Sequence, residues 1–113
     1  MTSNTRYPSV TGGPIPPWFL GLEDDWNDST YFWFRGRQLW CSFIWAKKPG
    51  NGAFHRILEY ALSNGMSLEV PTPMGDMERI LRRYGFKHRI ERDPNYCDGE
   101  PVDVWTSRGV YVV

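Results

Sequence analysis

Gln38-Leu39-Trp40-Cys41-Ser42-Phe43-Ile44-Trp45-Ala46 runs directly into Lys47-Lys48-Pro49-Gly50-Asn51-Gly52-Ala53, and then into Phe54, Ile57, Leu58, Ala61 and Leu62. The first run is almost continuously apolar, which predicts a central strand covered on both faces. The last five residues follow the i, i+3, i+4, i+7, i+8 spacing of one face of an amphipathic helix. Asn64-Gly65 stops that helix, and Ser67-Leu68-Glu69-Val70 reads as a short strand. A strand, helix, strand unit of this length implies a parallel crossover. The fold class is therefore α+β, with a mixed, partly antiparallel sheet.

Upstream, Tyr31-Phe32-Trp33-Phe34-Arg35 predicts a second aromatic strand, joined to the first by a turn at Gly36. Pro8, Pro14, Pro16 and Pro17 with Gly12 and Gly13 forbid regular structure over residues 1–17. Trp18, Phe19, Leu20 and Trp26 follow, and such apolar bulk would be costly in a free tail. The expectation is a Pro-rich arm over 1–30, pinned onto a domain spanning 31–113. Downstream, Thr72-Pro73 predicts an N-cap with proline at the first helical position. Met74, Met77, Ile80, Leu81 and Tyr84 would form the apolar stripe of this second helix, with Gly85 as its C-cap. Phe86–Ile90 and Val102–Trp105 read as two more strands, separated by a turn-rich stretch over 93–101.

A chain of 113 residues with 41% hydrophobic, 23% charged and 16% aromatic residues has globular composition and room for one core. Thirteen basic residues balance thirteen acidic ones, so total charge argues for neither a nucleic-acid nor a membrane partner. The distribution is uneven: minus three over 1–30, plus two over 31–46, plus four over 47–92 and minus three over 93–113. A basic middle between acidic ends points to one electropositive site, or to ordinary solvated faces. Cys41 and Cys97 are too few for a zinc site, and no metal is expected. A thiol in an apolar run and the absence of a signal-like stretch predict a cytoplasmic protein.

A strand feeding a glycine loop and a helix N-terminus forms a phosphate cradle: glycines allow close backbone approach, and unpaired amides face the anion. Lys47 and Lys48 add charge at its rim. Neither the Walker spacing nor the full dinucleotide fingerprint is present, and a tight turn that binds nothing is the plain alternative. With its neighbourhood, however, the stretch resembles the GNAT superfamily of acetyl-coenzyme A dependent N-acetyltransferases. The family motif, Gln/Arg-x-x-Gly-x-Gly/Ala, has its counterpart in Lys47-Lys48-Pro49-Gly50-Asn51-Gly52. The family's next segment falls on Val70, Met74, Met77, Ile80-Leu81 and Gly85-Phe86 with its spacing kept, and the likeness covers roughly residues 38–105.

The resemblance implies a three-layer α/β/α fold lacking the family's usual first strand and first helices, and acetyl-CoA as cosubstrate. The amides of Gly50, Asn51, Gly52 and Ala53 would hold its pyrophosphate, with Lys47 where the family has Gln or Arg. Phe43, Ile44 and Trp45 would pair with the pantetheine arm. The implied activity is acetyl transfer to an unidentified amine. Two departures stand against it, Met74 for the family Asn and Leu81 for the family Tyr that protonates the departing thiolate. Tyr84, one turn on, is the substitute acid or a core residue. An ammonium needs a base before it attacks; Glu69 is the candidate, with a structural carboxylate paired to an arginine as its alternative, and His55 and His88 behind it.

Two other functions remain. One is a catalytically inactive descendant serving as a binding or structural module. The other is a nucleic-acid-acting protein using Arg79, Arg82, Arg83, Lys87, Arg89 and Arg92. Compact members of this kind resemble those of viral and mobile-element genomes. Six tryptophans and an open sheet edge predict a homodimer or attachment to a larger complex, with Trp18, Phe19 and Trp26 buried.

Overall fold

The structure, a computed structural model, describes residues 14–92 and 100–108, the side chains of Ser42 and Phe43 excepted. The expected turn over 93–99, with Cys97, and the proline arm before Pro14 lie outside the described residues. The chain folds as α+β: strands β1 (Tyr31–Arg35) and β2 (Gln38–Phe43), helix α1 (Ala53–Ser63), strand β3 (Ser67–Pro71), helix α2 (Met77–Tyr84), and strands β4 (Lys87–Glu91) and β5 (Val102–Thr106). The strands are hydrogen-bonded in the order β1-β2-β3-β5-β4 as a mixed sheet. Two compact units divide the chain, Met1–Leu68 and Glu69–Val113, so the boundary falls inside β3.

In the first unit β1 and β2 form an antiparallel hairpin, with Arg35 opposite Gln38, Phe34 opposite Leu39 and Trp33 opposite Trp40, and a register shift between Tyr31 and Trp33. Gly36 makes the turn because its φ of 60° is one that only glycine adopts without strain. Leu39, Trp40 and Cys41 are all buried although consecutive residues point to opposite faces, which is the two-sided burial the apolar run predicts. Helix α1 buries Ala53, Phe54, Ile57, Leu58 and Ala61, the expected face without Leu62, and ends where Asn64 donates from its backbone to Tyr60 and Ala61. Fully burying residues such as Phe32, Leu39, Ile57 and Leu58 contributes roughly 1.5–3 kcal/mol each.

The arm is fastened to this unit at two places. Ile15 exchanges both backbone hydrogen bonds with Phe32 at 2.8 Å. Trp26 faces Ala46 across an isolated antiparallel bridge and is buried, its ring edge-on to Phe32. Between these points Pro17–Leu20 make one 3-10 turn that buries Pro17 and Leu20. Trp18 and Phe19 point outward at 66% and 62% exposure, so the burial expected of them does not occur within the described chain, where they pack edge-on against each other.

In the second unit β5 pairs antiparallel with both β3 and β4: Thr106 lies opposite Glu69 and Lys87, and Trp105 opposite Val70 and His88. The alternation puts His88, Ile90, Asp103 and Trp105 on one face, and Arg89, Glu91, Val104, Thr106 and Glu69 on the other. Helix α2 does not start at Thr72-Pro73 as expected. Thr72 has a φ of 46°, a left-handed conformation costly for a β-branched residue, and Gly75 follows at 60°. Two left-handed residues prevent helix propagation, so α2 begins at Met77 behind Asp76, and Met74 is left outside it, largely exposed. Gly85 closes the helix in the left-handed conformation, as the sequence predicts.

Candidate functional site

The strand-to-helix connection lies wholly in the first unit. Strand β2 ends at Phe43, three residues earlier than the apolar run predicts, because Ile44–Ala46 turn to pair with the arm. Asn27 donates its backbone N–H to the Trp45 carbonyl at 2.7 Å, and Lys47 donates to the Asp25 carbonyl at 2.9 Å. The Thr30 hydroxyl takes the Trp45 N–H at 2.8 Å and donates back to the Trp45 carbonyl at 3.2 Å. Trp45 therefore has both backbone groups committed to one edge. The N–H and C=O of Ala46 make neither of the two bonds that flank its bridge to Trp26.

The loop that follows is exposed from Lys47 to Gly52. Gly50 and Gly52 both have φ of 82°, so both need glycine's left-handed freedom. Helix α1 starts immediately after, and no side chain caps its N-terminus. Amide donors, a helix end and two lysines thus meet in one exposed turn, at the residues the sequence singles out: Lys47, Lys48, Gly50, Asn51, Gly52 and Ala53.

Arg56, a residue that no motif marks, closes this loop. Its Nε and Nη2 form a two-pronged pair with the Asp25 carboxylate at 2.7 and 2.6 Å, and Nη2 also donates to the Asn51 carbonyl at 2.7 Å. The hydrogen bond that Arg56 donates to Asp25 raises the Arg56 pKa above its ordinary value, so the guanidinium is firmly charged. Asp25 and Arg56 are 31 residues apart, and only the fold brings them together.

The proton-handling candidates sit elsewhere. Glu69 is 0% exposed. One of its oxygens accepts from Arg89 Nη1 at 2.9 Å, and the other from the Thr106 hydroxyl at 2.7 Å. Arg89 holds Glu91 as well, through Nε and Nη2 at 3.1 and 2.8 Å. Burial works against the Arg89 charge, but hydrogen bonds to Glu91 and Glu69 outweigh it, and its pKa is raised above the ordinary arginine value. That stabilisation is complete throughout the neutral range and is lost only as pH rises through the raised value. The arginine-paired, structural alternative for Glu69 describes its surroundings; a base would need an open path to a substrate proton.

Tyr84 is half-buried on α2, and Leu81, which the resemblance would set at the family Tyr position, is fully buried. His55 faces Glu59 one turn along α1 at 3.8 Å. His88 has a partner that sequence reading cannot supply: its Nε2 meets Oδ1 of Asp103, a buried oxygen that accepts no hydrogen bond from the described residues. The His88 ring lies tilted against Trp105 at 5.0 Å, and the Arg82 guanidinium lies over the same indole at 5.0 Å. Among the described residues, no group of three or more His, Cys, Asp or Glu is arranged to hold a metal, and no helix is long and apolar enough to cross a membrane.

No protein-family model, curated protein or solved structure matches this chain.

Proposed function

We propose that the chain is a small GNAT-type protein that binds acetyl-coenzyme A at the 47–53 loop and transfers its acetyl group to an amine. The observation that carries this reading is the loop itself. Two left-handed glycines, two exposed lysines and an uncapped helix N-terminus occur together at the end of a strand, at the spacing the resemblance requires. The Ala46 backbone, which makes neither bond flanking its bridge to Trp26, supports it further, because an extended pantetheine amide needs backbone donors and acceptors to pair with. Of the three residues expected to make that contact, Trp45 is already tied to Thr30 and Asn27.

The test is isothermal titration of the full chain with acetyl-coenzyme A. Binding that disappears in the Lys47→Ala/Lys48→Ala double variant is expected, and a chain that takes up no ligand at millimolar concentration refutes the reading. Titration is preferable to substitution at Gly52, where any side chain would be strained by the φ of 82° whatever it did to the ligand.

A second reading, a binding module without turnover, is favoured by one observation: the proposed base Glu69 is enclosed and engaged by Arg89 and Thr106. Acetyl transfer to a panel of amines separates the two. Turnover that falls at least about tenfold in Glu69→Gln would assign the proton-accepting role to that residue. Turnover unchanged by the substitution removes Glu69 from the chemistry, and no turnover alongside tight binding favours the module.

A further inference from the structure

We infer that β4 is a self-association edge: a second copy of this chain adds its own β4 antiparallel to it, in the register that sets Ile90 against Ile90 across a two-fold axis. The contact lies wholly in the second unit and is independent of the coenzyme A reading. β4 is the last strand of the order β1-β2-β3-β5-β4, and only β5 pairs with it among the described residues. The other end of that order is covered differently, since Ile15 exchanges both its backbone bonds with Phe32 of β1. Among the described residues, the large exposed hydrophobic side chains are Trp18, Phe19, Trp45, Met74 and Ile90. Of these Ile90 alone lies within a strand, at 59% exposure.

The bonding pattern of the second unit fixes which backbone groups that edge offers. In an antiparallel ladder, opposed residues alternate between pairs that exchange both backbone bonds and pairs that exchange none, so each residue sends its N–H and C=O to one side. Thr72 donates its N–H to the Asp103 carbonyl at 2.6 Å, so the Asp103 backbone faces β3, and that of Trp105, two residues on, faces the same way. Pro71, which has no N–H, lies opposite Val104, as this alternation requires. Val102, Val104 and Thr106 therefore bond β4, through Glu91, Arg89 and Lys87. The N–H and C=O of His88 and Ile90 point away from β5, to the open side of β4. Backbone groups presented in this way are a template for another strand.

A copy of the same strand is the occupant that the side chains fit. Centred on Ile90, antiparallel pairing places Arg89 of each copy opposite Glu91 of the other, in the non-hydrogen-bonded pairs where side chains come closest. The two isoleucines meet at the axis and cover each other from water. His88 falls opposite Arg92 at each end and contributes backbone bonds only. The adjacent registers that also match the outward groups set like charges face to face: Arg89 against Arg89, Lys87 against Arg89, or Glu91 against Glu91. Within one chain Arg89 and Glu91 already touch, on the face that holds Glu69. The dimer extends that pair into an alternating row of charges, which fixes the register of the contact.

The experiment is sedimentation velocity of the full chain from micromolar to millimolar concentration, with Ile90→Lys and Ile90→Pro variants. Circular dichroism and melting temperature serve as controls on folding. The parent should dimerise reversibly as concentration rises. Ile90→Lys is expected to raise the dimer dissociation constant about tenfold or more, because like charges then meet at the axis. Ile90→Pro removes an N–H that the β5 ladder does not use, so it should abolish the dimer and leave the fold in place. Ile90→Lys, at an exposed position, keeps the test decisive if proline disturbs β4. Register is read by cysteine cross-linking under mild oxidation in a Cys97→Ser background. Ile90→Cys should give a disulfide dimer, since residues opposed in such a pair lie about 5.5 Å apart at Cα, within disulfide reach. Lys87→Cys, whose two copies lie at opposite ends of the paired strands, should give none.

A chain that stays monomeric at millimolar concentration overturns the inference. So does a dimer of unchanged strength in a folded Ile90→Lys variant, which would move the contact to the exposed Trp18 and Phe19. Cross-linking through Lys87→Cys as readily as through Ile90→Cys overturns it as well, because the strands would then pair in another register or not at all. A parent dimer that Ile90→Lys disrupts and that cross-links at position 90 and not at 87 supports it.

Discussion

The two compact units each contain an arginine held by a carboxylate, and the two pairs differ in how far the carboxylate is closed off from solvent. Arg56, partly exposed, grips Asp25 beside a glycine loop, and its Nη1 has no partner among the described residues. Arg89 lies between Glu69 and Glu91, and Glu69 is closed off from solvent and also takes the Thr106 hydroxyl. The first pair ties the arm to the first turn of α1 through a side chain that stays partly exposed. The second satisfies a carboxylate that the strand has taken inside. Burial, more than residue type, separates a candidate contact from a structural one.

The comparison can be broken most directly at Arg89. Arg89→Ala would leave Glu69 enclosed without its counter-charge, and the loss of such a partner costs about 3–5 kcal/mol. Urea denaturation should show a fall of that size. A loss below about 1 kcal/mol would mean that water reaches Glu69 in solution and that the two pairs are alike. Next in size is Leu58→Ala in the buried face of α1, with an expected cost of about 2–5 kcal/mol in the same measurement. A negligible cost there would show that the helix carrying the loop is not anchored by its apolar face.

Thr72→Gly should act in the opposite direction. The native φ of 46° is costly for threonine and free for glycine, which outweighs the extra chain entropy of glycine by about 1 kcal/mol. Thermal melting should therefore move upward by a few degrees, and a downward shift would mean that Thr72 makes contacts worth more than its strain. The smallest change is expected from Asp25→Asn, whose arginine partner is 43% exposed. Its denaturation midpoint should stay within error of the parent, in contrast to Arg89→Ala. A large shift would make Asp25–Arg56 a structural pair like its counterpart.

Much of the architecture is legible in the residues. The apolar run at Leu39–Cys41 announced two-sided burial, the i, i+3, i+4 pattern announced α1, and Asn64-Gly65 and Gly85 announced the helix ends. These signals are local: periodicity and backbone preference act within a few residues of chain. The start of α2 was misread for the same reason, since Thr72-Pro73 has the composition of an N-cap while its backbone is drawn into the left-handed region, with the Thr72 N–H on the Asp103 carbonyl at 2.6 Å. The end of β2 was misread because the Trp26–Ala46 bridge is invisible in the apolar run itself.

The candidate loop was also legible, because glycines, lysines and a following amphipathic helix are contiguous. What surrounds it was not. Asp25 meets Arg56 across 31 residues, Arg89 meets Glu69 across 20, and Thr106 meets Glu69 across 37. A side chain's charge partner depends on distance in space, and nothing in a sequence window measures that. By itself the sequence determined where strands, helices and a glycine loop form, because those depend on neighbouring backbone and side-chain preferences. Only the tertiary structure decided which arginine is left with donors to spare and which carboxylate is enclosed, because hydrogen-bond completion and burial are properties of the packed chain.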